Sequence, residues 1–289
     1  MGGHGWGIVQ ENDLVDAVHT ALDQGVNFFD TADTYGLGQS ELTLGRALEG
    51  RRDKAVVASK FGVRVENHHT FYDNSPQWIR NACENSLRRL NTDYIDLYQL
   101  HYRDGKTCLN DVLETLERLR EEGKIRYFGL SNIAVDDFEE LETHRGRFVS
   151  LQNQYSLAYR DQEKQFTELC NKLDLSPLTW GSLGQGILTG KYDATASFGS
   201  DDRRSREIYV NFHGEKLLKN LDLVEAMRPL SARYGKPLGA LAVRFILDYL
   251  PGSVVLCGVK CPEQMCSNAE ALGWHLCQRD IDFLESVSR

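Results

Sequence analysis

Residues 28–41 read FFDTADTYGLGQSE. A strand predicted over residues 26–29 leads into Asp30, Tyr35 stands between a threonine and a glycine, and a helical pattern starts at Ser40. The stretch therefore joins a strand to a helix through a turn that carries polar and aromatic side chains. When strands run parallel, side chains at such junctions converge on one face of the fold.

The same alternation of strand and helix runs through the whole chain. Asn12 and Gly25 are the expected ends of one helix, and Ser75 with Pro76 begins another. Further strands are predicted over residues 55–59, 94–100, 125–130, 149–154, 177–180 and 254–258. Further helices are predicted around residues 109–122, 134–142 and 160–173 and, as a long pair, 215–249. No linker interrupts the pattern, so we expect a single domain over residues 1–289.

Parallel strands joined by right-handed crossovers form either an open doubly wound sheet or a closed barrel. An open sheet that binds a dinucleotide would carry a G-x-G-x-x-G motif after its first strand, and the sequence has none there. Polar residues follow strand after strand instead, which is typical of a barrel; they are Asp30, Lys60, His101 and Asn132. The sequence therefore predicts an α/β fold, a (β/α)8 TIM barrel.

The number of strands does not complete that barrel. About seven strands are predicted, whereas a parallel barrel normally closes with eight. The first helix begins near residue 12, and only a glycine-rich stub precedes it. We therefore expect a barrel that is incomplete at its first strand, either because the chain is truncated or because another segment closes the gap.

Composition excludes several classes of protein. The 42 acidic residues outnumber the 33 basic ones, giving a net charge of −9 and a pI ≈ 5.4, so neither nucleic acid nor a membrane is an expected partner. No apolar run approaches the roughly 18 residues of a membrane span. Seven cysteines without a C-x-x-C pair, and no secretory pattern, indicate a cytoplasmic protein with reduced thiols. Cys257, Cys261 and Cys266 lack matching histidines, so we expect no metal.

The stretch quoted first resembles the signature F-D-T-A-D-x-Y-G-x-G-x-S-E of the aldo-keto reductase family. Further matches follow in family order over nearly the whole chain. The resemblance implies a (β/α)8 barrel that binds a nicotinamide dinucleotide across its C-terminal face and transfers hydride to an aldehyde or ketone. It also implies a catalytic tetrad of Asp30, Tyr35, Lys60 (in VVASKF) and His101 (in DLYQLH).

The chemistry of carbonyl reduction explains why these four residue types are needed together. Hydride delivery leaves a developing alkoxide, which must be stabilised and protonated. Tyr35 is the expected proton donor, and a nearby Lys60 is expected to lower the pKa of its phenol. Asp30 would hold Lys60, and a neutral His101 would donate a hydrogen bond to the carbonyl. Taken singly, each residue also fits a structural role, whereas the neighbouring Asp33 is interpreted as structural.

The resemblance extends to the cofactor. Ser131, Asn132 and Gln154 match the residues that hold the nicotinamide carboxamide, although Asn132 also fits a helix cap. Residues 180–192, WGSLGQGILTGKY, match a loop whose backbone approaches the pyrophosphate. The positions assigned from that loop are Trp180, Gly181, Ser182, Leu183, Gly184, Gln185, Gly186 and Lys191. At the adenosine end the matching positions are Gly258, Lys260, Gln264 and Asn268.

Four positions depart from the family pattern. Trp180 replaces a tyrosine that stacks on the nicotinamide, and Gly181 with Ser182 replaces a Ser-Pro pair. Gln264 stands where many members carry an arginine suited to a phosphate, while Lys260 either meets the 2′-phosphate or is a solvated loop lysine. NADPH is therefore the expected cofactor, with NADH as the alternative.

The substrate side is predicted from neighbours of the tetrad. Trp6, Phe61 and Tyr102 are expected to form apolar walls, and the loop 193–214 to cover the mouth of the site. Arginines 203, 204 and 206 in that loop either recognise an anionic substrate or form an ordinary charged surface, since Asp201 and Asp202 offset two of the charges. The identity of the carbonyl substrate stays open, because loop shape and not fold sets it.

Two other functions are compatible with the resemblance. One is a nicotinamide-binding regulatory subunit resembling potassium-channel β subunits, which match this chain less well at His101. The other is an inactive, truncated reductase, because loss of a strand would expose two sheet edges and part of the nicotinamide floor.

Overall fold

The structure, a computed structural model, describes residues 5–7, 9–67, 69–134 and 137–289. These residues contain nine strands: β1 (Phe28–Asp30), β2 (Val56–Phe61), β3 (Val63–Glu66), β4 (His69–Tyr72), β5 (Ile95–Leu100), β6 (Ile125–Ser131), β7 (Ser150–Gln154), β8 (Ser176–Trp180) and β9 (Val254–Val255). Seven of the strands form one parallel sheet in the order β1-β2-β5-β6-β7-β8-β9. The other two, β3 and β4, form an antiparallel hairpin.

Helices connect these strands and cover the sheet. The same residues contain ten α-helices: α1 (Glu11–Asp23), α2 (Gln39–Ala47), α3 (Pro76–Leu90), α4 (Leu109–Glu121), α5 (Phe138–Glu142), α6 (Glu163–Leu173), α7 (Gly214–Tyr234), α8 (Leu238–Tyr249), α9 (Pro262–Ala269) and α10 (Gln278–Val287). The apolar faces of the helices bury most of the core against the sheet. The predicted α/β architecture is thereby confirmed.

Local sequence explains where α3 begins and ends. The Ser75 hydroxyl accepts a hydrogen bond from the backbone N–H of Trp78 at 3.4 Å, and Pro76 takes the first helical position, as predicted. Asn91 ends the helix in the left-handed conformation, with φ 50°.

The predicted start of α1 is wrong by one to two residues. The helix begins at Glu11 after Gln10, whose side chain makes no capping hydrogen bond. Asn12 lies inside the helix, where its side chain accepts a hydrogen bond from Arg46 Nη2 at 3.2 Å instead of capping the backbone. Gly25 takes the left-handed conformation expected after the helix, with φ 78°.

Strand boundaries also differ from the sequence prediction. The first strand begins at Phe28 and not at residue 26, because the Val26 N–H donates to the Ala21 carbonyl at 2.8 Å and so still belongs to the end of α1. The last strand shortens from residues 254–258 to Val254–Val255.

The hairpin of β3 and β4 has no counterpart in the prediction. β3 alternates valine with Arg64 and Glu66 over its four residues, but β4 is exposed throughout and lacks the alternating apolar pattern of a half-buried strand, so the pair was not predicted. Of the helix predicted around residues 134–142, the structure contains α5, and residues 135–136 lie outside the described residues. The long helical pair breaks at Gly235, which has φ 62°.

The parallel sheet has two unpaired edges. Among the described residues, β1 pairs only with β2, and β9 pairs only with β8. The parallel sheet of the barrel fold thus contains seven strands in the described part of the chain. A small apolar cluster nevertheless lines the inner face, and strands from both edges contribute to it: Phe28, Ala58, Leu97, Leu178 and Val254.

The cysteines are all free thiols. Cys83 and Cys170 are buried, as expected of small hydrophobic residues, whereas Cys108, Cys266 and Cys277 are exposed. Within the described ranges, no group of three or more histidine, cysteine or acidic side chains is arranged to hold a metal ion. In that part of the chain, no helix is both long and apolar enough to cross a membrane.

Candidate active site

Four polar side chains form one layer inside the sheet, near the carboxyl ends of its strands. Asp30 ends β1, Lys60 lies near the end of β2, Gln99 lies in β5 and Gln152 in β7. Side chains alternate across a strand, so residues two apart face the same side. Asp30, Lys60 and Gln99 each stand two residues beyond a member of the inner apolar cluster, and they therefore face the interior as well.

An ion pair lies at the centre of this layer. The Lys60 ammonium, which is fully buried, donates to Asp30 Oδ2 at 2.6 Å, to the Thr31 carbonyl at 2.9 Å and to the Tyr35 hydroxyl at 3.4 Å. The other Asp30 oxygen accepts from Gln152 Nε2 at 2.7 Å and from Gln99 Nε2 at 3.2 Å. These contacts join three of the predicted tetrad residues through hydrogen bonds.

The ion pair stays charged despite its burial. Burial raises the pKa of Asp30, but the charge of Lys60 and the hydrogen bonds outweigh it and hold that pKa below its usual value. Burial likewise lowers the pKa of Lys60, and the charge of Asp30 outweighs it, so the pKa of the ammonium is raised. A buried pair of this kind is stable only because both partners and their additional hydrogen bonds are present.

Two opposing effects set the pKa of the Tyr35 phenol. The charge of Lys60 and its hydrogen bond lower this pKa, as predicted, but burial raises it by more, and the negative charge of Asp30 adds to the rise. The pKa of Tyr35 therefore stays above its ordinary value, because the phenol is removed from water. Tyr35 is consequently a protonated phenol with its oxygen beside an ammonium group.

His101 follows β5 and faces the same site. Burial, together with the nearby charge of Lys60, lowers the pKa of His101 to about 3, so the imidazole is neutral, in agreement with the prediction. Its ring centroid lies 6.0 Å from that of Tyr35, in an edge arrangement. The buried Nδ1 atom has no hydrogen-bond partner among the described residues. The four residues of the predicted tetrad thus lie together.

The residues predicted to hold the nicotinamide carboxamide also lie together. Asn132 has a left-handed backbone, and its Nδ2 donates to the Ser131 hydroxyl at 3.0 Å and to the His101 carbonyl at 3.3 Å. The indole N–H of Trp180 donates to Asn132 Oδ1 at 3.2 Å. Asn132 is therefore not a helix cap, because its side chain connects the ends of three strands.

Gln154, the last residue of β7, pairs with Trp180 of β8 and so lies next to these residues. Its side chain is half-buried and makes no hydrogen bond with any residue in the described ranges. A Cβ atom placed on Gly181, which has φ 68°, would lie 3.4 Å from Gln154 Cγ, so backbone and amide approach closely here.

The loop 181–191 contains several residues with positive φ, including the non-glycine Gln185 with φ 56°. Two of its polar side chains are bonded within the protein. The buried Ser182 hydroxyl hydrogen-bonds the Thr179 side chain and carbonyl, and Gln185 Oε1 accepts from Asn211 Nδ2 at 2.6 Å. The side chain of Lys191, by contrast, is exposed.

The predicted adenosine-end residues surround the start of α9. Gln264 Oε1 accepts from the Lys260 N–H at 3.0 Å, so this glutamine orders the turn rather than pointing outward. The Lys260 ammonium donates to the Trp6 carbonyl, and burial together with the charge of Arg204 lowers its pKa. Lys260 is therefore not a freely solvated loop lysine. Asn268 lies beside Gly239 of α8, and Gly258 is exposed with open space around its Cα atom.

Aromatic side chains border the tetrad on the substrate side. Tyr102 stacks on His101 with ring centroids 4.9 Å apart, and Tyr72 of the hairpin stacks on Tyr102 at 5.1 Å. Trp6 packs edge-on against Tyr209, with centroids 5.1 Å apart.

Phe61 does not belong to this wall, contrary to the prediction. It has no exposed surface and packs on Tyr98, with ring centroids 4.8 Å apart. Lys60 faces the interior of the sheet, so the next residue along the strand must face the helices.

Sequence reasoning missed Gln99, Gln152 and Tyr72. The two glutamines carried a usable signal, because each precedes a predicted site residue by two positions in a strand and so shares its face. Tyr72 carried none, since its hairpin was not predicted.

Comparison with known proteins agrees with this geometry. The sequence profile of the Aldo/keto reductase family matches residues 1–289. Aldo-keto reductase YhdN of Bacillus subtilis (strain 168) is 35% identical over 292 residues, an alignment that covers 99% of this chain and 87% of that protein. The chain is a member of the aldo/keto reductase family. This aldo-keto reductase is therefore an oxidoreductase.

Solved structures place the fold of this aldo-keto reductase in the same family. The glycerol dehydrogenase AKR11B4 from Gluconobacter oxydans is 32% identical with a TM-score of 0.88, covering 99% of this chain and 88% of that one. An aldo/keto reductase from Klebsiella pneumoniae, solved in complex with NADPH, is 27% identical with a TM-score of 0.77, again covering 99% and 88% of the two chains.

Proposed function

We propose that this aldo-keto reductase transfers hydride from NADPH to the carbonyl of an aldehyde or ketone, with Tyr35 as the proton donor. The observation that carries the proposal is the contact of the Tyr35 hydroxyl with the buried Lys60–Asp30 ion pair, beside a neutral His101. The complex of the Klebsiella pneumoniae relative with NADPH supports the choice of cofactor.

The residues present fit a nicotinamide dinucleotide. When bound, that cofactor supplies the hydride. The Ser131 hydroxyl and the amides of Asn132 and Gln154 are suited to its carboxamide, and the Gln154 amide has no competing partner among the described residues. The indole of Trp180 offers an apolar face beside them.

The loop 181–191 and the predicted residues around the start of α9 would hold the phosphates of the cofactor. Backbone N–H groups of the loop 181–191 suit the pyrophosphate, because positive φ angles turn successive amides toward one side. Lys260 suits the adenosine phosphate once its ammonium leaves the Trp6 carbonyl. We propose NADPH as the preferred cofactor, with NADH as the alternative because Gln264 is bonded within its own turn.

Each of the four tetrad residues has a different role in the rest of the reaction. Tyr35 holds its proton at neutral pH, because burial raises the pKa of the phenol, and it can therefore deliver that proton to a developing alkoxide. Lys60 places a positive charge beside the same oxygen, and Asp30 keeps the ammonium in position. Neutral His101 orients the carbonyl by a hydrogen bond without adding a second cation.

A titration with NADPH and then NADH is the first test. Cofactor fluorescence and quenching of tryptophan emission report binding, and Trp180 is the expected reporter. Saturable binding followed by oxidation of NADPH on addition of an aldehyde supports the proposal. Binding without turnover of any carbonyl would support a nicotinamide-binding regulatory subunit instead. Failure to bind either dinucleotide would support the inactive reductase.

The variant Tyr35→Phe tests the proton donor. It removes the hydroxyl and keeps the ring, so we expect kcat to fall by about 10²-fold or more, in line with general acid catalysis, with cofactor affinity nearly unchanged. Tyr127→Phe, at an exposed position of β6, is the matched control and should keep full activity. Turnover by Tyr35→Phe at the wild-type rate would refute the role of Tyr35.

A further inference from the structure

Three arginines in the loop 193–214 have different surroundings. Arg204 is fully engaged, since it pairs with Asp202 and donates to the Tyr192 hydroxyl and to the Trp6 carbonyl. Arg206 is exposed, and its side chain touches no polar partner in the described ranges. Arg203 is half-buried, yet its guanidinium forms no hydrogen bond or ion pair with any residue in 5–7, 9–67, 69–134 or 137–289.

Backbone contacts hold Arg203 in place. Its N–H donates to the Gly5 carbonyl at 2.8 Å, and Asp202 accepts from the next N–H, that of Arg204, at 3.0 Å. The side chain lies directly against Gly5, because a Cβ atom placed there would come within 2.8 Å of Arg203 Nε. Gly5 has φ 81°, so both its conformation and its missing side chain permit this approach. The stem of Arg203 is therefore ordered before any ligand arrives.

Two observations place the Arg203 guanidinium near the tetrad. Gly5 precedes Trp6, whose ring packs on Tyr209 of the same loop as Arg203. Burial raises the pKa of Tyr35, and the charges of Lys60 and Arg203 both oppose that rise, so Arg203 is within electrostatic reach of the phenol. The ring stack of Tyr72, Tyr102 and His101 borders the same phenol.

We infer that Arg203 binds a carboxylate on the carbonyl substrate, which makes it a specificity-determining residue for aldehydes and ketones that carry an acidic group. The ordered, half-buried Arg203 guanidinium has no hydrogen-bond or ion-pair partner among the described residues to offset its lost hydration. A carboxylate can fill that role through two parallel hydrogen bonds. The aromatic stack provides an apolar surface for the part of the substrate between its carbonyl and its acid. This inference rests on the proposed function, because it assigns the substrate class of that same site.

A pair of aldehydes that differ only in charge tests the inference. The wild-type protein with NADPH is assayed on para-formylbenzoate and on its neutral methyl ester, and kcat/KM is compared. The variants are Arg203→Ala, Arg203→Lys and the control Arg206→Ala. We expect Arg203→Ala to lower kcat/KM for the carboxylate by about 10- to 100-fold, the usual size of a charged hydrogen bond, and to leave the ester within about threefold.

The remaining variants and a binding measurement complete the design. Arg203→Lys should recover part of the kcat/KM that Arg203→Ala loses on the carboxylate, because lysine keeps the positive charge but cannot form two parallel hydrogen bonds. Arg206→Ala should match the wild type on both aldehydes. The dissociation constant of NADPH should stay unchanged in Arg203→Ala.

Three outcomes would overturn the inference and leave the proposed function standing. Two of them concern the variant Arg203→Ala. They are an equal loss on both aldehydes, and weaker NADPH binding by Arg203→Ala, which would assign the guanidinium to a cofactor phosphate. A wild type that reduces the ester but shows no preference for the acid would also reject it while leaving the proposed function intact. Reduction of neither aldehyde, together with no NADPH binding, would reject both.

Discussion

Asp33 is a buried carboxyl group that takes no part in the Asp30–Lys60 ion pair. Its Oδ1 atom is buried without a hydrogen-bond partner in the described parts of the chain. Burial, with a further contribution from the neighbouring Glu41, raises the pKa of Asp33 to about 8. The structural role that the sequence predicts for Asp33 therefore has a cost in folding free energy at neutral pH, because the folded chain favours the protonated carboxyl group.

The pH dependence of stability tests this assignment. In the unfolded chain Asp33 ionises near pH 4, whereas in the folded chain it keeps its proton until about pH 8. The folded state thus binds more protons between these values, so stability falls as pH rises from 4 to 8. We expect Asp33→Asn, which cannot ionise, to unfold at the wild-type temperature at pH 5 and at a clearly higher temperature at pH 8.

The control for this comparison is Asp13→Asn, since Asp13 is exposed in the first turn of α1. Its melting temperature should differ from that of the wild type by the same small amount at both pH values. If the difference between Asp33→Asn and the wild type does not grow with pH, the carboxyl group is ionised in the folded protein.

At the level of elements, a buried carboxylate connects two helices and a strand. Glu41 of α2 is fully buried, accepts from Arg89 of α3 at 2.6 Å and accepts from the Ser59 hydroxyl of β2. The Arg89 side chain also lies against Gly38, where a Cβ atom would come within 2.7 Å of it and where φ is 97°. The turn that presents Tyr35 is therefore held by packing between α2 and α3.

Replacement of Arg89 tests how much its ion pair with Glu41 contributes to the free energy of unfolding. Arg89→Ala leaves the Glu41 carboxylate buried without its charged partner, so we expect a loss of about 3–5 kcal/mol in the free energy of unfolding. The neighbouring Arg88 is exposed, and Arg88→Ala should cost no more than about 0.5 kcal/mol. Chemical denaturation measures both. Equal losses in the two variants would mean that the buried pair adds nothing specific.

At the scale of the whole molecule, we expect cofactor binding to stabilise a sheet whose edge strands are β1 and β9. Among the described residues, the edge strands β1 and β9 each have a strand partner on one side only, and predicted cofactor residues lie at or after the ends of β6, β7, β8 and β9. A ligand that binds only the folded chain stabilises it by mass action.

We therefore expect NADPH at one hundred times its dissociation constant to raise the free energy of unfolding by about 2.7 kcal/mol. Thermal unfolding with and without NADPH measures this as a rise of several degrees. Tyr35→Phe should show the full rise, because it lacks only the proton donor, whereas Asn132→Ala should show a smaller one. An unchanged melting temperature in the wild type would contradict cofactor binding.

Much of the fold follows from local patterns in the sequence. Strand and helix alternation, the cap at Ser75 and the break after α1 depend on periodicity and on the conformations of a few residues, which neighbours in the chain specify. The hairpin of β3 and β4 does not, because β4 is exposed along its whole length and carries no apolar alternation.

The sequence by itself determined the four tetrad positions and many of their neighbours, because most of these residues stand at or shortly after the carboxyl end of a strand within a matching motif, and parallel strands bring those ends together. Only the tertiary structure decided how these groups interact. The raised pKa of Tyr35, the bond from Lys260 to Trp6 and the packing of Arg203 against Gly5 all arise between segments far apart in the chain. Burial and charge at such contacts depend on distances that no local pattern encodes.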